Sequence, residues 1–255
     1  MRAAGAATLA NRQPGASPVS HTDSSDPVGA ETLEHLAHAV RYNRWMFDRL
    51  SRWLGRRVLE IGAGIGNLST FLTDRDRVVL TDTRTEYLSC LRERFAGHPN
   101  VAVARLYLPS DAGALAGEAF DTVICLNVLE HVADDVASLT LIRTLLGQGG
   151  RLILLVPALP ALFGTLDEAL GHHRRYTRAA LAAKFASAGL RLRHIEYFNL
   201  AGIPGWWFTG RVLRRRVIPA GSLRLYDALV PLFRLERLLP WRVGQSLIAI
   251  GERSA

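Results

Sequence analysis

An acid two residues ahead of three alternate glycines, Glu60-Ile61-Gly62-Ala63-Gly64-Ile65-Gly66, and an aspartate, Asp82, 20 residues beyond the first of those glycines, have the types and spacing of a ligand grip. Glycine lets the backbone turn through left-handed conformations and lets a ligand come close to main-chain amides. A carboxylate at the tip of the neighbouring strand can accept hydrogen bonds from both hydroxyls of a ribose. The pair therefore reads as a nucleoside site.

Two kinds of nucleoside compete for it. Nicotinamide enzymes prefer Gly-x-Gly-x-x-Gly, with the pyrophosphate at a helix N-terminus. Here the third glycine comes one residue earlier and Glu60 precedes the first. A carboxylate in that place repels a pyrophosphate but tolerates a cationic sulfonium with an amino-acid tail. A nicotinamide-dependent oxidoreductase, and a noncatalytic binding protein retaining the fold, stay open as alternatives.

The elements that must position these residues follow from apolar periodicity. Residues 31–53 show apolar positions at intervals of three and four, which predicts one amphipathic helix or two, a lid or flank ahead of the sheet. Residues 57–61 form a short apolar strand running into the glycines, with Gly66 and Asn67 opening a helix through Leu72. Further strands are expected at 78–81, 101–106, 121–126, 151–156, 190–198 and 246–250, with helices at 86–95, 134–146 and 177–188 between them. Thr177 is the expected N-cap of the last helix and Gly189 its stop. This alternation predicts an α/β fold, a Rossmann-like, doubly wound, seven-stranded parallel sheet with an N-terminal helical flank and a helical insertion before the last strand. Residues 1–30, rich in Ala, Gly, Ser, Pro and Asp, read as a disordered leader, and 31–255 as a single domain. Within it 57–157 is the cofactor-binding core, and 158–176 and 199–243 are insertions on the substrate side.

Val58-Leu59-Glu60-Ile61-Gly62-Ala63-Gly64-Ile65-Gly66-Asn67, Leu80-Thr81-Asp82, the run from Phe120 through Asn127-Val128-Leu129-Glu130-His131, and Gly149 to Pro157 each resemble a motif of the class I S-adenosylmethionine-dependent methyltransferases. Residues 171–177, Gly-His-His-Arg-Arg-Tyr-Thr, are similar to a segment of many bacterial members. The resemblance implies a cofactor, S-adenosyl-L-methionine, held by Glu60, Gly62, Ala63, Gly64, Gly66, Asn67, Asp82, Thr83, Leu126 and Asn127. Asp82 would take the ribose; Leu126 and Asn127 would lie on the methionine side. Many members carry an acid just after the third strand for the adenine. Here that place reads Leu106-Tyr107-Leu108, so either Tyr107 stacks on the ring or Asp111 supplies the acid. The Asn/Asp-Pro-Pro-Tyr/Phe type of loop used on nucleic acid is replaced by Asn127-Val128-Leu129-Glu130, so nucleic acid is not the expected acceptor.

Methyl transfer from a sulfonium asks mainly for in-line alignment and exclusion of water. A base is needed only for a hydroxyl or a protonated amine. His131, His172, His173 and Tyr176 are the candidates, although His131 could equally cap its loop and His172 bond to backbone. Glu130 and His131 form an acid–histidine pair comparable to one that holds a divalent metal in some quinone-pathway relatives. With Asn127 where a further acid would help, two ligands make a poor site, and no metal is expected.

The late insertion guides the choice of acceptor. Gly205-Trp206-Trp207-Phe208 precedes Arg211 and Arg214 to Arg216, and leucines then recur at helical spacing from Leu223 to Leu238. Tryptophan and arginine beside an apolar helix are the marks of an interfacial helix. A small hydrophobic or lipid-linked acceptor is expected, methylated on oxygen, with peripheral membrane contact through 205–238; an ordinary closing helix pair and a dimer contact are the competing readings. The chain carries +8 formal charge, but Lys184 is its one lysine, and an arginine bias of this kind arises in GC-rich genomes without selection for anionic partners. Two cysteines, one in an apolar run, exclude a disulfide framework and fit a reducing cytoplasm. No apolar stretch reaches the ~18 to 20 residues of a spanning helix, which leaves a cytoplasmic protein, peripheral at most to the inner membrane.

Overall fold

The computed structural model of the chain describes residues 27–110, 113–115, 117–217, 219–238 and 243–254. Residues 1–26 of the expected leader, and Asp111, lie outside them. Residues 27–30 belong to a helix instead, because Pro27 fits the first turn, where its missing N–H costs nothing.

Two helices, α1 (Pro27–Ala37) and α2 (Val40–Leu50), precede the strand β1 (Arg57–Ile61). Then follow β2 (Arg77–Asp82), α3 (Thr85–Arg94), β3 (Val101–Arg105), β4 (Phe120–Leu126), α4 (Asp135–Leu145), β5 (Leu146–Pro157) and the short α5 (Thr165–Ala169). The chain closes with α6 (Arg178–Ser187), β6 (Leu190–Phe198), α7 (Gly202–Trp207), a π-helical continuation Phe208–Val212, α8 (Ala220–Phe233) and β7 (Ser246–Arg253). The seven strands form one sheet in the order β3-β2-β1-β4-β5-β7-β6. Five neighbours from β3 to β5 pair in parallel, whereas β7 is antiparallel to both β5 and β6. The sheet is therefore mixed, not wholly parallel. Strand direction is set by how the chain returns from the 199–243 excursion, which apolar periodicity does not encode.

Alternation along the strands divides the core. Leu59, Ile61, Val123, Cys125, Leu152, Leu154, Leu247 and Ala249 face α4 and α6, meeting Leu139, Ile142, Leu181 and Phe185. Val58, Val78, Leu80, Ile124, Ile153, Leu155, Ile248 and Ile250 face the other way, meeting Trp45, Met46 and Leu50 of α2, Leu91 of α3 and Val230 of α8. Strands covered on both faces read as continuous apolar runs, which is why they were visible in the sequence. Each buried Val, Leu or Ile contributes about 1.5–3 kcal/mol. Two N-caps match their helices: Asp134 accepts from Ala137 N at 2.9 Å, and Thr177 from Ala180 N at 3.1 Å.

One expected helix is missing. After β1 the chain makes turns and a single 3₁₀ turn, Ser69–Phe71, where Gly66 to Leu72 had read as a helix. Gly64 and Gly66 adopt φ of 55° and 81°, outside the helical region, and the Ser69 hydroxyl donates to Glu60 Oε2 at 2.6 Å. Ser69, Thr70 and Thr73 are weak helix formers, so local bonding wins. The amides offered to a ligand thus come from the turn itself.

Candidate functional site

The carboxyl ends of β1, β2 and β4 lie side by side, with Ile61 in register with Thr81 on one flank and Cys125 on the other. Asp82 ends β2 and is almost buried. Its Oδ2 accepts from Gly64 N at 3.0 Å, and its Oδ1 accepts from Thr83 N at 2.7 Å and Arg84 N at 3.1 Å. Burial raises its pKa, opposed by these three amides. Ala63 N is tied to Thr81 O at 2.9 Å, which seats the glycine turn on the end of β2.

Gly62 has φ 71°, and a methyl in place of its hydrogen would collide with Val128 Cγ2. A methyl at Gly64 would lie 3.0 Å from Leu33 Cδ1 of α1. Leu33 therefore covers the turn, and its carbonyl accepts from Asn67 Nδ2 at 3.0 Å. Glu60 is placed beneath the turn: its carboxyl is buried against Ser69, and burial, with Asp82 adding to it, pushes it up to about 7. Tyr107 stands beyond β3, its hydroxyl accepting from Arg105 Nη1 at 2.8 Å and donating to Thr83 O at 3.4 Å, next to Asp82. Leu126 ends β4, and the exposed Asn127 follows with φ 52°, its amide held by Leu155 O at 2.8 Å. Asparagine tolerates this left-handed conformation better than most residues.

A second group forms where the β4 loop meets residues 165–176. The His131 and His172 rings lie edge to face at 4.7 Å. His172 Nδ1 is 2.9 Å from Asp167 Oδ1, and its Nε2 is 4.0 Å from Glu130 Oε1. His173 gives its backbone amide to Glu130 O at 2.8 Å, and its side chain is exposed. Tyr176 is drawn into the core, its hydroxyl donating to Asp135 Oδ2 at 3.0 Å and its pKa raised by burial and by that carboxylate. Of the four proton-acceptor candidates, the fold brings His131 and His172 together and sends His173 and Tyr176 elsewhere.

Glu130 is fully buried, and among the described residues no side-chain or other partner lies in hydrogen-bonding geometry with its carboxyl oxygens. Burial pushes its carboxyl up to about 8. Among the described residues, Glu130, His131 and His172 each offer one ligand atom within 4.8 Å of the others, so His172 joins the pair read from the sequence as a third potential metal ligand. Holding a cation there requires Glu130 ionised, which burial opposes and the cation's own charge would favour.

Asp167, which sequence reasoning missed, is the hub of this region. Besides His172 it accepts from Arg175 Nε at 2.8 Å, Trp206 Nε1 at 3.2 Å and Gly164 N at 3.1 Å. Burial alone would raise its pKa, but His172 and Arg175 hold it below the usual carboxylate value. The Arg175 guanidinium also lies over the Trp206 ring, 4.8 Å from its centroid. A Gly-x-x-Asp spacing at 164–167 was the available signal.

A family model described as "Methyltransferase domain" matches residues 59–152. Ubiquinone biosynthesis O-methyltransferase of Xanthomonas euvesicatoria pv. vesicatoria is 30% identical over 185 residues, which cover 67% of this chain and 77% of that protein. Squalestatin hexaketide synthase of a Phoma species is 36% identical over 110 residues; the match takes in 38% of this chain and only 4% of the synthase. Among solved structures, a chain of the complex between the Haloferax volcanii Trm112 methyltransferase activator and its methyltransferase superposes with a TM-score of 0.64 at 17% identity, over 90% of this chain and 97% of that one. An S-adenosylmethionine-dependent methyltransferase from Mesorhizobium loti superposes with a TM-score of 0.57 at 14% identity, over 82% and 98%. At these identities the structural likeness is one of fold.

Proposed function

The chain belongs to the class I S-adenosylmethionine-dependent methyltransferases, and from that we propose that it methylates a hydroxyl of a small hydrophobic or lipid-linked acceptor. Membership in this family sets aside the nicotinamide and noncatalytic alternatives raised by the glycine turn. Oxygen as the methylated atom is supported by the O-methyltransferase named above.

The observation that carries the cofactor reading is the junction of Asp82 with the Gly64 amide at the end of β2. A carboxylate has about four acceptor sites, and three are taken by amides. One remains for a ribose hydroxyl, and release of Gly64 N would open a second. The donor set thus fits a nucleoside, with Thr83 and Tyr107 beside it and the amides of Gly62 to Gly66 offered to the amino-acid tail. Leu126 and Asn127 border the place where the methyl would be. When bound, S-adenosylmethionine supplies an electrophilic methyl on a sulfonium that leaves as a neutral thioether.

The chain's own part is alignment, exclusion of water and disposal of one proton. Asp167 anchors the His172 ring at Nδ1, and in the tautomer that donates from Nδ1 to this carboxylate, Nε2 keeps a lone pair to take the acceptor's proton. His131 packs against that ring. In this reading the described residues of the two insertions flank this end, and the exposed face of 205–238 is the side from which an apolar acceptor arrives, on a cytoplasmic protein in peripheral contact with the inner membrane.

Calorimetric titration of the purified protein with S-adenosylhomocysteine tests the cofactor half. Micromolar binding is expected, and a folded protein that ignores this nucleoside at millimolar levels ends the proposal. Methyl release in the presence of phenolic and lipid-linked hydroxyls tests the acceptor half.

A further inference from the structure

Helix α8 is apolar on two faces. Its inner face puts Tyr226, Val230 and Phe233 against the cluster built on α2. Its outer face carries Leu225, Leu229 and Leu232, four and three residues apart, and the chain continues that row with Leu235 and Leu238. Leu225, Leu232 and Leu238 are 63%, 61% and 71% exposed. A helix that only closed a sheet edge would turn polar residues outward. Trp207, Phe208, Val212 and Leu213, at the end of α7 and along its π-helical continuation, are exposed as well.

Charge says what covers this surface. Residues 199–238 contain seven arginines and two acids. Both acids point inward: Asp227 accepts from Tyr42 N at 2.8 Å, and Glu236 from Asn199 N at 3.0 Å and Leu200 N at 2.7 Å. Arg211, Arg214, Arg215, Arg216, Arg224, Arg234 and Arg237 are all exposed. Arg234 is paired with Asp48 of α2; apart from that pair, the outward surface of these residues offers leucine, aromatic and arginine side chains with none of the segment's own acids among them. Two copies meeting through it about a two-fold axis would bring arginine against arginine. Lipid phosphates beside an acyl boundary supply what both kinds of side chain need.

We propose that the outward face of residues 207–238 docks on an anionic phospholipid bilayer and that the acceptor is taken from that bilayer. The second half rests on the proposed methyltransferase reading; the docking itself does not. The surface adjoins the histidine pair through Trp206, which donates to Asp167, and through Thr165 Oγ1, which is 2.9 Å from Gly210 O and 2.7 Å from Arg215 O.

The test is co-sedimentation of the full chain with phosphatidylcholine vesicles, with and without roughly one third phosphatidylglycerol, over a range of salt. Binding to the anionic vesicles is expected to be at least about tenfold tighter than to neutral ones. Arg214→Glu with Arg215→Glu and Arg216→Glu should abolish that preference, and Leu225→Glu with Leu232→Glu should weaken binding about tenfold at every salt concentration. Absence of binding to anionic vesicles overturns the proposal, as does binding untouched by the leucine variant, which would be adsorption of a basic protein. A wild-type dimer in analytical ultracentrifugation that the leucine variant converts to monomer overturns it too, assigning the face to a second copy. S-adenosylhomocysteine titration of wild type and variants separates the two ideas: wild type that binds vesicles but not the nucleoside sinks the methyltransferase reading alone, and variants that keep wild-type nucleoside affinity are folded.

Discussion

Asp82 Oδ2 accepts a hydrogen bond from Gly64 N at 3.0 Å, so the acid of one strand and the turn after another are a single unit. Asp82→Ala removes the ribose partner and three amide partners together. S-adenosylhomocysteine affinity should fall by about 1–3 kcal/mol, the range for charge-assisted hydrogen bonds. Calorimetry with unchanged affinity would take Asp82 out of the site.

Gly62 combines a positive φ with the close approach of Val128. Gly62→Ala should destabilise the fold by about 1–3 kcal/mol through strain and overpacking. Adding Val128→Ala should recover the steric part and leave the conformational part, as read from urea denaturation of the single and double variants.

Glu130, raised to about 8, and Glu60, raised to about 7, bind protons in the folded state that the unfolded chain releases near 4.5. The native state holds the extra proton of Glu60 between about pH 4.5 and 7 and that of Glu130 between about 4.5 and 8, so the stability these groups contribute is highest at the acid end and falls as pH rises, by up to about 1.4 kcal/mol per pH unit for each group within its window. Glu130→Gln, a neutral isostere, should flatten that slope and leave the protein at least as stable as wild type at pH 8. Denaturation midpoints across the range would show this, and an unchanged slope would contradict it.

Asp167 and Arg175 form a buried pair at 2.8 Å. Asp167→Ala strands the guanidinium and should cost about 3–5 kcal/mol, visible in chemical denaturation. Trp206→Phe loses one hydrogen bond and keeps a ring beneath Arg175, so it should cost about 0.5–1.5 kcal/mol. It should impair acceptor use while S-adenosylhomocysteine binding stays unchanged.

The sheet was legible because its strands are buried on both faces: Leu190–Phe198 matches its predicted bounds, and Thr177 caps the helix it was expected to cap. The turn after β1 was misread as helical because the apolar residues Leu68, Phe71 and Leu72 have helical spacing, while the Ser69–Glu60 bond that overrides it is a tertiary contact. Distances across the fold hid the rest. Nothing local to Leu33 tells that it lies on Gly64, and nothing local to Asp167 tells that it meets Trp206, 39 residues later. Glu60 and Tyr176 looked available for chemistry because a motif names a residue but not the side of the backbone on which its polar atoms find partners.

Trp206 on Asp167, with Thr165 on Gly210, fastens the two insertions to each other as well as to the sheet they flank. They form one roof with shared beams. A graft that exchanged one insertion for a relative's is expected to lose these contacts unless its counterpart travels with it.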